Sequence, residues 1–273
     1  MQTARKREIR IEADSFRKKC TINRYGIADL FQECENCGAR LIRYPAGDDT
    51  VLGFVLRKDN DIIIYTNTGV RLSREWFTLA HEIGHVLLHL TKKASFIDDP
   101  STLSMANKDE WEQEANYFAA CLLMPGDEVD RFLDLEVPDF DNGSFSSMDI
   151  AKMMSAFSVS FEMVLNRLEN LGKISLEQKL RLDTERMQTS VGNLLRSVGG
   201  NARLNTVSKD TNIPREYLDY AIYNYNHNAI PKETLERTLA YYHLRIEDIN
   251  DRIIVHPEET EDDLDELIGG LVD

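Results

Sequence analysis

The chain has 273 residues, long enough for one large domain or two modest ones with a sizeable buried core, and its 42% hydrophobic and 29% charged content is ordinary for a soluble globular protein. Its net charge of −15 is unevenly spread: beyond His256 there are eight acidic residues and no basic ones, so the body is only mildly acidic. This excludes a broad basic surface for nucleic acid, and the lack of any apolar run near roughly 20 residues excludes a membrane-spanning helix.

The amino terminus, MQTARKREIRIEADSF, is charged and has no apolar stretch of the kind that directs secretion. Four cysteines, Cys20, Cys34, Cys37 and Cys121, fit reduced thiols, so a cytoplasmic protein is expected. Cys34 and Cys37 form a CxxC, but no second such pair completes a structural zinc site, and the pair falls on a helical pattern where buried packing is the commoner role.

Residues 5–37 read as two helices, with Ile9, Phe16 and Cys20 at helical spacing and a second start near Gly26. Three short strands follow, at 39–44, 51–56 and 61–66, separated by PAGDD and KDND turns, and they are expected to form a β-meander. One edge of that sheet could hold an extended peptide by strand addition.

The stretch 76–90, WFTLAHEIGHVLLHL, is apolar almost all round and carries His81, Glu82 and His85 as HExxH. Residues four apart stand one turn above each other on a helix, so both imidazoles can reach one metal ion. Glu82 lies about 100° further round, where its carboxylate can meet a water on that ion. Gly84 falls between the two histidines, and a missing side chain there makes room for a third ligand or a substrate. Two histidines and a glutamate buried among Leu, Ile and Val are costly unless each is paired or bound to metal. His89, one turn on, is read as a packing or hydrogen-bonding residue because it sits too far along the helix axis to be a ligand.

A polar connection from 91 to 110 reads as a flexible flap, and 111–124, WEQEANYFAACLLM, as a helix stopped by Pro125-Gly126. Glu112, Ala115, Asn116 and Ala119 share one small face that can pack closely on the HExxH helix. Glu112 is therefore favoured as third metal ligand, with Asn116 hydrogen-bonding an imidazole or the ligand carboxylate. The competing Glu114 points about 200° away from Glu112 and is expected to be solvated.

FTLAHEIGH followed by EQEANYFAACLLMP resembles the ImmA/IrrE family of zinc metallopeptidases, a likeness that covers roughly residues 25–175, including GFVLRKDNDIIIYTNT. The resemblance implies Zn2+ held by His81, His85 and Glu112, and catalysis by Glu82. It also implies an α+β chain: a mostly helical zincin-like peptidase domain with a small sheet beside the HExxH helix, then helical modules of helix-turn-helix type. The activity it implies is cleavage of a helix-turn-helix transcriptional repressor, relieving repression in a mobile element, phage or stress response.

The expected boundaries are 1–146 for the peptidase, 147–198 for a helix-turn-helix-like extension and linking helix, 199–255 for an Xre-like helical module, and 256–273 for an acidic tail. In the extension, Ser158-Val159-Ser160 supplies a cap between two helices, and Glu162 and Glu169 against Arg167 and Lys173 do not make a basic recognition helix. Residues 177–196 read as one linking helix ended by Gly199-Gly200. In the last module Tyr217, Tyr220, Tyr223 and Tyr225 could stack on bases, but a docking role suits them better than DNA reading. The tail places Leu264, Leu267, Ile268 and Leu271 at amphipathic spacing among acids, either as a solvated segment or as one that folds onto a partner or the chain's own cleft. The rival to a peptidase is a metal-stabilised regulator that binds a repressor or DNA without cutting anything. Oligomeric state is open.

Overall fold

The amino-terminal helix α1 (Thr3–Arg17) buries Ile9, Ala13 and Phe16, spaced for one face. The structure is a computed structural model and describes residues 1–46, 51–91, 93–98, 109–137, 140 and 145–254. A short antiparallel hairpin, β1 (Ile22–Asn23) with β2 (Gly26–Ile27), comes next, its turn containing Arg24 at φ 55°. The sequence pattern predicts only helices here. Helix α2 (Leu30–Asn36) is capped by Asp29, whose carboxylate accepts from the N–H groups of Phe31 and Gln32.

Four strands form the main sheet: β3 (Ala39–Tyr44), β4 (Gly53–Lys58), β5 (Asp61–Asn67) and β6 (Ser95–Asp98), in the order β3-β5-β4-β6. The expected meander is corrected in two ways. β3 pairs in parallel with β5, not with β4, and a fourth strand lies within the segment read as a flap. β5 takes the interior place because Ile62 to Tyr65 is apolar on both faces, as a strand flanked on both edges tolerates. The remainder of the supposed flap, 99–108, lies outside the described residues.

Helix α3 (Leu72–Leu88) contains the HExxH segment, and almost all its residues from Leu72 to His85 are buried. It packs on α4 (Glu110–Leu123), which in turn packs on α1. Two arginines terminate α4: Arg17 donates to the carbonyls of Leu122 and Tyr25, and Arg167 donates to Met124 O at 2.8 Å. Cations on the last carbonyls satisfy acceptors that the helix itself cannot. Pro125-Gly126 does stop α4, but it also opens α5 (Gly126–Glu136), with Asp127 and Glu128 in the first turn, a helix missed because the pair was read only as a terminator.

Helices α6 (Ser147–Phe157) and α7 (Phe161–Asn170) are separated by Ser158, at φ 58°, and by Ser160, whose side chain accepts from Met163 N–H. The single linking helix is broken in two, α8 (Leu176–Gln188) and α9 (Val191–Ser197). Thr189 is extended, and the Ser190 hydroxyl caps the new start by accepting from Asn193 N–H. One apolar core joins side chains from Ile9 through Phe118, Phe157 and Leu168 to Leu204. Residues 206–212 run alongside: Asn212 exchanges two backbone hydrogen bonds with Arg43 of β3, and Leu72 N donates to Thr206 O.

The chain divides into two units, Met1–Asn212 and a second beginning at Ile213. In the second, α10 (Arg215–Asn226) and α11 (Lys232–Tyr241) close over Leu218, Ala221, Ile222, Leu235, Leu239 and Ile249. Tyr242 ties its ends together by donating to Pro214 O at 2.8 Å. The acidic tail lies outside the described residues.

Candidate metal centre

Two turns of α3 and the first turn of α4 build the site. Gly84 is what lets the helices meet: a Cβ there would lie 3.1 Å from Phe118 Cδ1 and 3.3 Å from the Cα of Ala115. The space left by the missing side chain is therefore filled by α4 itself, not by a substrate. Ala115 and Ala119 are fully buried along the same face.

That approach brings Glu112 to the histidines. His81 Nε2 and His85 Nε2 lie 2.9 Å apart, and Glu112 Oε2 lies 3.2 Å from the first and 3.5 Å from the second. Among the described residues this is the group of metal-capable side chains whose ligand atoms converge, all within 4.8 Å of one another, and all three residues are buried. Burial pushes the Glu112 carboxyl up, but contacts from the imidazoles of His81 and His85 outweigh it and hold it down to about 2.

Hydrogen bonds behind the imidazoles say which nitrogens bear protons. Asn116 Oδ1, which can only accept, lies 2.9 Å from His81 Nδ1, so the proton sits on Nδ1 and the lone pair on Nε2. Two imidazole nitrogens and one carboxylate oxygen thus converge on one place. Such a set suits a divalent cation, and its mixture of nitrogen and oxygen donors suits zinc.

Glu82 is fully buried on the same helix. The backbone of Gly53, at the start of β4, presses on it: a Cβ at Gly53 would come 2.6 Å from Glu82 Oε1 and 2.5 Å from Thr78 Cγ2. Sequence reasoning missed Gly53, although a glycine opening an apolar strand is a signal of close backbone approach. Phe96 of β6 stacks on the His85 ring, with centroids 4.0 Å apart and planes 19° from parallel.

Glu114 is not solvated as expected. It takes two hydrogen bonds from Arg5 of α1, at 2.8 and 2.6 Å, and lies 3.0 Å from His89 Nε2. The Arg5 guanidinium, with help from His89 against partial burial, holds the Glu114 carboxyl down to about 2, while burial lowers His89 itself to about 4. The 200° separation on α4 is real, but the far face of that helix is covered by α1.

The family profile described as "Peptidase_M78: IrrE N-terminal-like domain" matches residues 34–169, the span that holds every residue of this centre. The chain belongs to the ImmA/IrrE family of metallopeptidases. It is also similar to a protein described as "Uncharacterized immunity region protein 2" from Bacillus phage phi105, 30% identical over 103 residues. That match covers 38% of this chain and 58% of the phage protein's length.

Proposed function

We propose that this protein is a zinc-dependent endopeptidase of zincin-like architecture, with His81, His85 and Glu112 as ligands, Glu82 as general base and Asn116 orienting His81. The observation that carries the reading is the convergence of the two Nε2 atoms and Glu112 Oε2 beside a buried Glu82. Zinc held there would polarise a scissile carbonyl and make water acidic enough to deprotonate near neutral pH. Glu82 takes the proton from the attacking water and delivers it to the departing amine, one group acting first as base and then as acid. The absence of a side chain at Gly53 leaves room for the Glu82 carboxylate beside β4. His85, stacked beneath Phe96, is held against rotation about its own axis.

An extended substrate fits along β6. The outer side of β3 is taken by Asn212, whereas no described strand pairs with the outer side of β6. Phe96 of β6 stacks on the His85 ring, so a chain added along β6 would run beside the metal ligands.

The substrate class we favour is a helix-turn-helix repressor. Family membership supports a protein substrate, and the description of the phage relative as an immunity region protein fits the control of repression. Direct DNA reading through the helix-turn-helix-like pair α6–α7 has little support, because Arg167 is buried against Met124 O and Lys173 is paired with Asp130. Among the described residues, no helix is long and apolar enough to cross a membrane.

The test is incubation of purified, zinc-loaded protein with a candidate repressor, best the one encoded beside it. Glu82→Gln should keep zinc and fold while cleavage falls by about 10²–10⁴-fold. Undiminished cleavage by a metal-replete Glu82→Gln protein removes the mechanism. Relief of repression in cells by that variant would instead favour the non-cutting regulator, for which the exposed Tyr217, Tyr220 and Tyr223 of α10 offer a docking face.

A further inference from the structure

Behind His85 the side chains continue in a line that runs out to the first helix of the chain. His85 Nδ1 lies 2.9 Å from His89 Nδ1, His89 Nε2 lies 3.0 Å from Glu114 Oε2, and Glu114 is gripped by Arg5. Each link has only one sensible direction once the first is set. A carboxylate shared with a guanidinium accepts and does not donate, so His89 Nε2 bears the proton and gives it to Glu114. His89 is 1% exposed and sits beside Arg5, whose charge already answers that of Glu114. With Nε2 turned to Glu114, Nδ1 is the His89 nitrogen that faces His85 and is placed to accept from it. Two nitrogens at 2.9 Å need one proton between them, and His85 must supply it from Nδ1. The lone pair of His85 is thereby left on Nε2, facing His81 and Glu112.

We propose that His89, oriented by Glu114 and Arg5, is a positioning residue that fixes His85 in its metal-binding tautomer and couples helix α1 to the metal centre. This rests on the reading of His81, His85 and Glu112 as metal ligands. The two histidines are served differently. His81 is set by a direct bond to Asn116 on α4, the helix that also carries Glu112. His85 is set through an intermediate imidazole, itself stacked on Trp111 with centroids 5.8 Å apart and planes 17° from parallel. The chain Arg5–Glu114–His89–His85 thus spans α1, α4 and α3, and the ligand geometry depends on all three helices staying in register.

The test measures zinc affinity of the full chain by competition with a chelator, alongside the thermal unfolding midpoint without metal. His89→Phe keeps an aromatic ring between Phe96 and Trp111 but removes the acceptor, and should weaken zinc binding by about 10–100-fold. His89→Asn places Oδ1 where Nδ1 stood but loses the bond to Glu114, so it should bind zinc more tightly than His89→Phe and more weakly than the parent. Full affinity in His89→Phe, or no recovery in His89→Asn, overturns the proposal. A direct check needs no substitution: nitrogen-15 spectra of the zinc-free parent should show the proton of His85 on Nδ1 and that of His89 on Nε2. A proton on His85 Nε2 overturns it even if His89→Phe does not fold. Parent protein that binds no zinc at all sinks the underlying metal-centre reading before any variant is compared.

Discussion

Helices α4 and α10 both carry polar and aromatic side chains on more than one face, and they differ in what those side chains meet. On α4, Glu112 converges with two histidines, Glu114 pairs with Arg5 and His89, Asn116 bonds His81, and the helix's last carbonyls are taken by arginines. On α10, Tyr217, Tyr220 and Tyr223 stand 44%, 58% and 59% exposed, while Leu218, Ala221 and Ile222 are buried in the core and Tyr225 packs against it. Buried polar groups are kept only where something satisfies them. A helix with this many satisfied interior groups is specified by chemistry; one with a simple apolar stripe is specified by packing. The exposed Tyr217, Tyr220 and Tyr223 are accordingly neither core nor a built site.

Substitutions on α4 and α10, and on α3 where it meets α4 and the sheet, should separate these regimes. The largest effect is expected from Glu112→Ala, which removes a donor from the converging set. Zinc affinity should fall by more than the 10–100-fold typical of a residue that only orients a ligand, as read by chelator competition. Unchanged affinity would place the third donor elsewhere.

Next is the buried pair at the start of α3. Glu75 is fully buried, takes bonds of 2.7 and 3.0 Å from Arg43 and accepts from Thr66 Oγ1 at 3.0 Å; the guanidinium lies 3.7 Å above the Phe31 ring. Glu75→Ala leaves Arg43 with its longer, more exposed contact to Asp210 at 3.4 Å and should cost about 3 kcal/mol in urea unfolding. A cost below about 1 kcal/mol would mean that water replaces the carboxylate there.

A smaller effect is expected at Gly84. An added methyl meets Phe118 and Ala115 at 3.1–3.3 Å, an overpacking that costs about 1–3 kcal/mol, against about 1 kcal/mol regained from helix propensity. Gly84→Ala should therefore lower the unfolding midpoint modestly and loosen zinc as α4 moves away. A higher midpoint would show that α4 is free to give. The smallest effect belongs to Tyr220→Ala, which should change stability by no more than about 0.5 kcal/mol because the ring is exposed. If it instead destabilises strongly, α10 is specified by more than its apolar stripe.

Much of the centre was legible because helix periodicity does not depend on context. HExxH places two imidazoles on one face, and the spacing of Glu112, Ala115, Asn116 and Ala119 marks the face of α4 that meets them. Caps were legible for the same local reason, as at Ser160. Other features were not. β6 lies in a polar segment where Phe96 is buried between half-buried Ser95 and exposed Ile97, too weak an alternation to read as a strand, and it is ordered by pairing with β4. The break at Thr189 had an apolar pattern running through it, and only the Ser190 cap marks it.

The residue chemistry in hand, two imidazoles and a carboxylate on helical spacings, was set by the order of amino acids, since side-chain direction on a helix follows from 3.6 residues per turn. The fates of Glu114 and His89 were decided only when α1 came to lie along α4. So were the parallel placing of β3 beside β5 and the closing of the β3 edge by residues 206–212. Whether a carboxylate meets water or an arginine depends on which distant segment covers it, and periodicity within one helix holds no record of its neighbours.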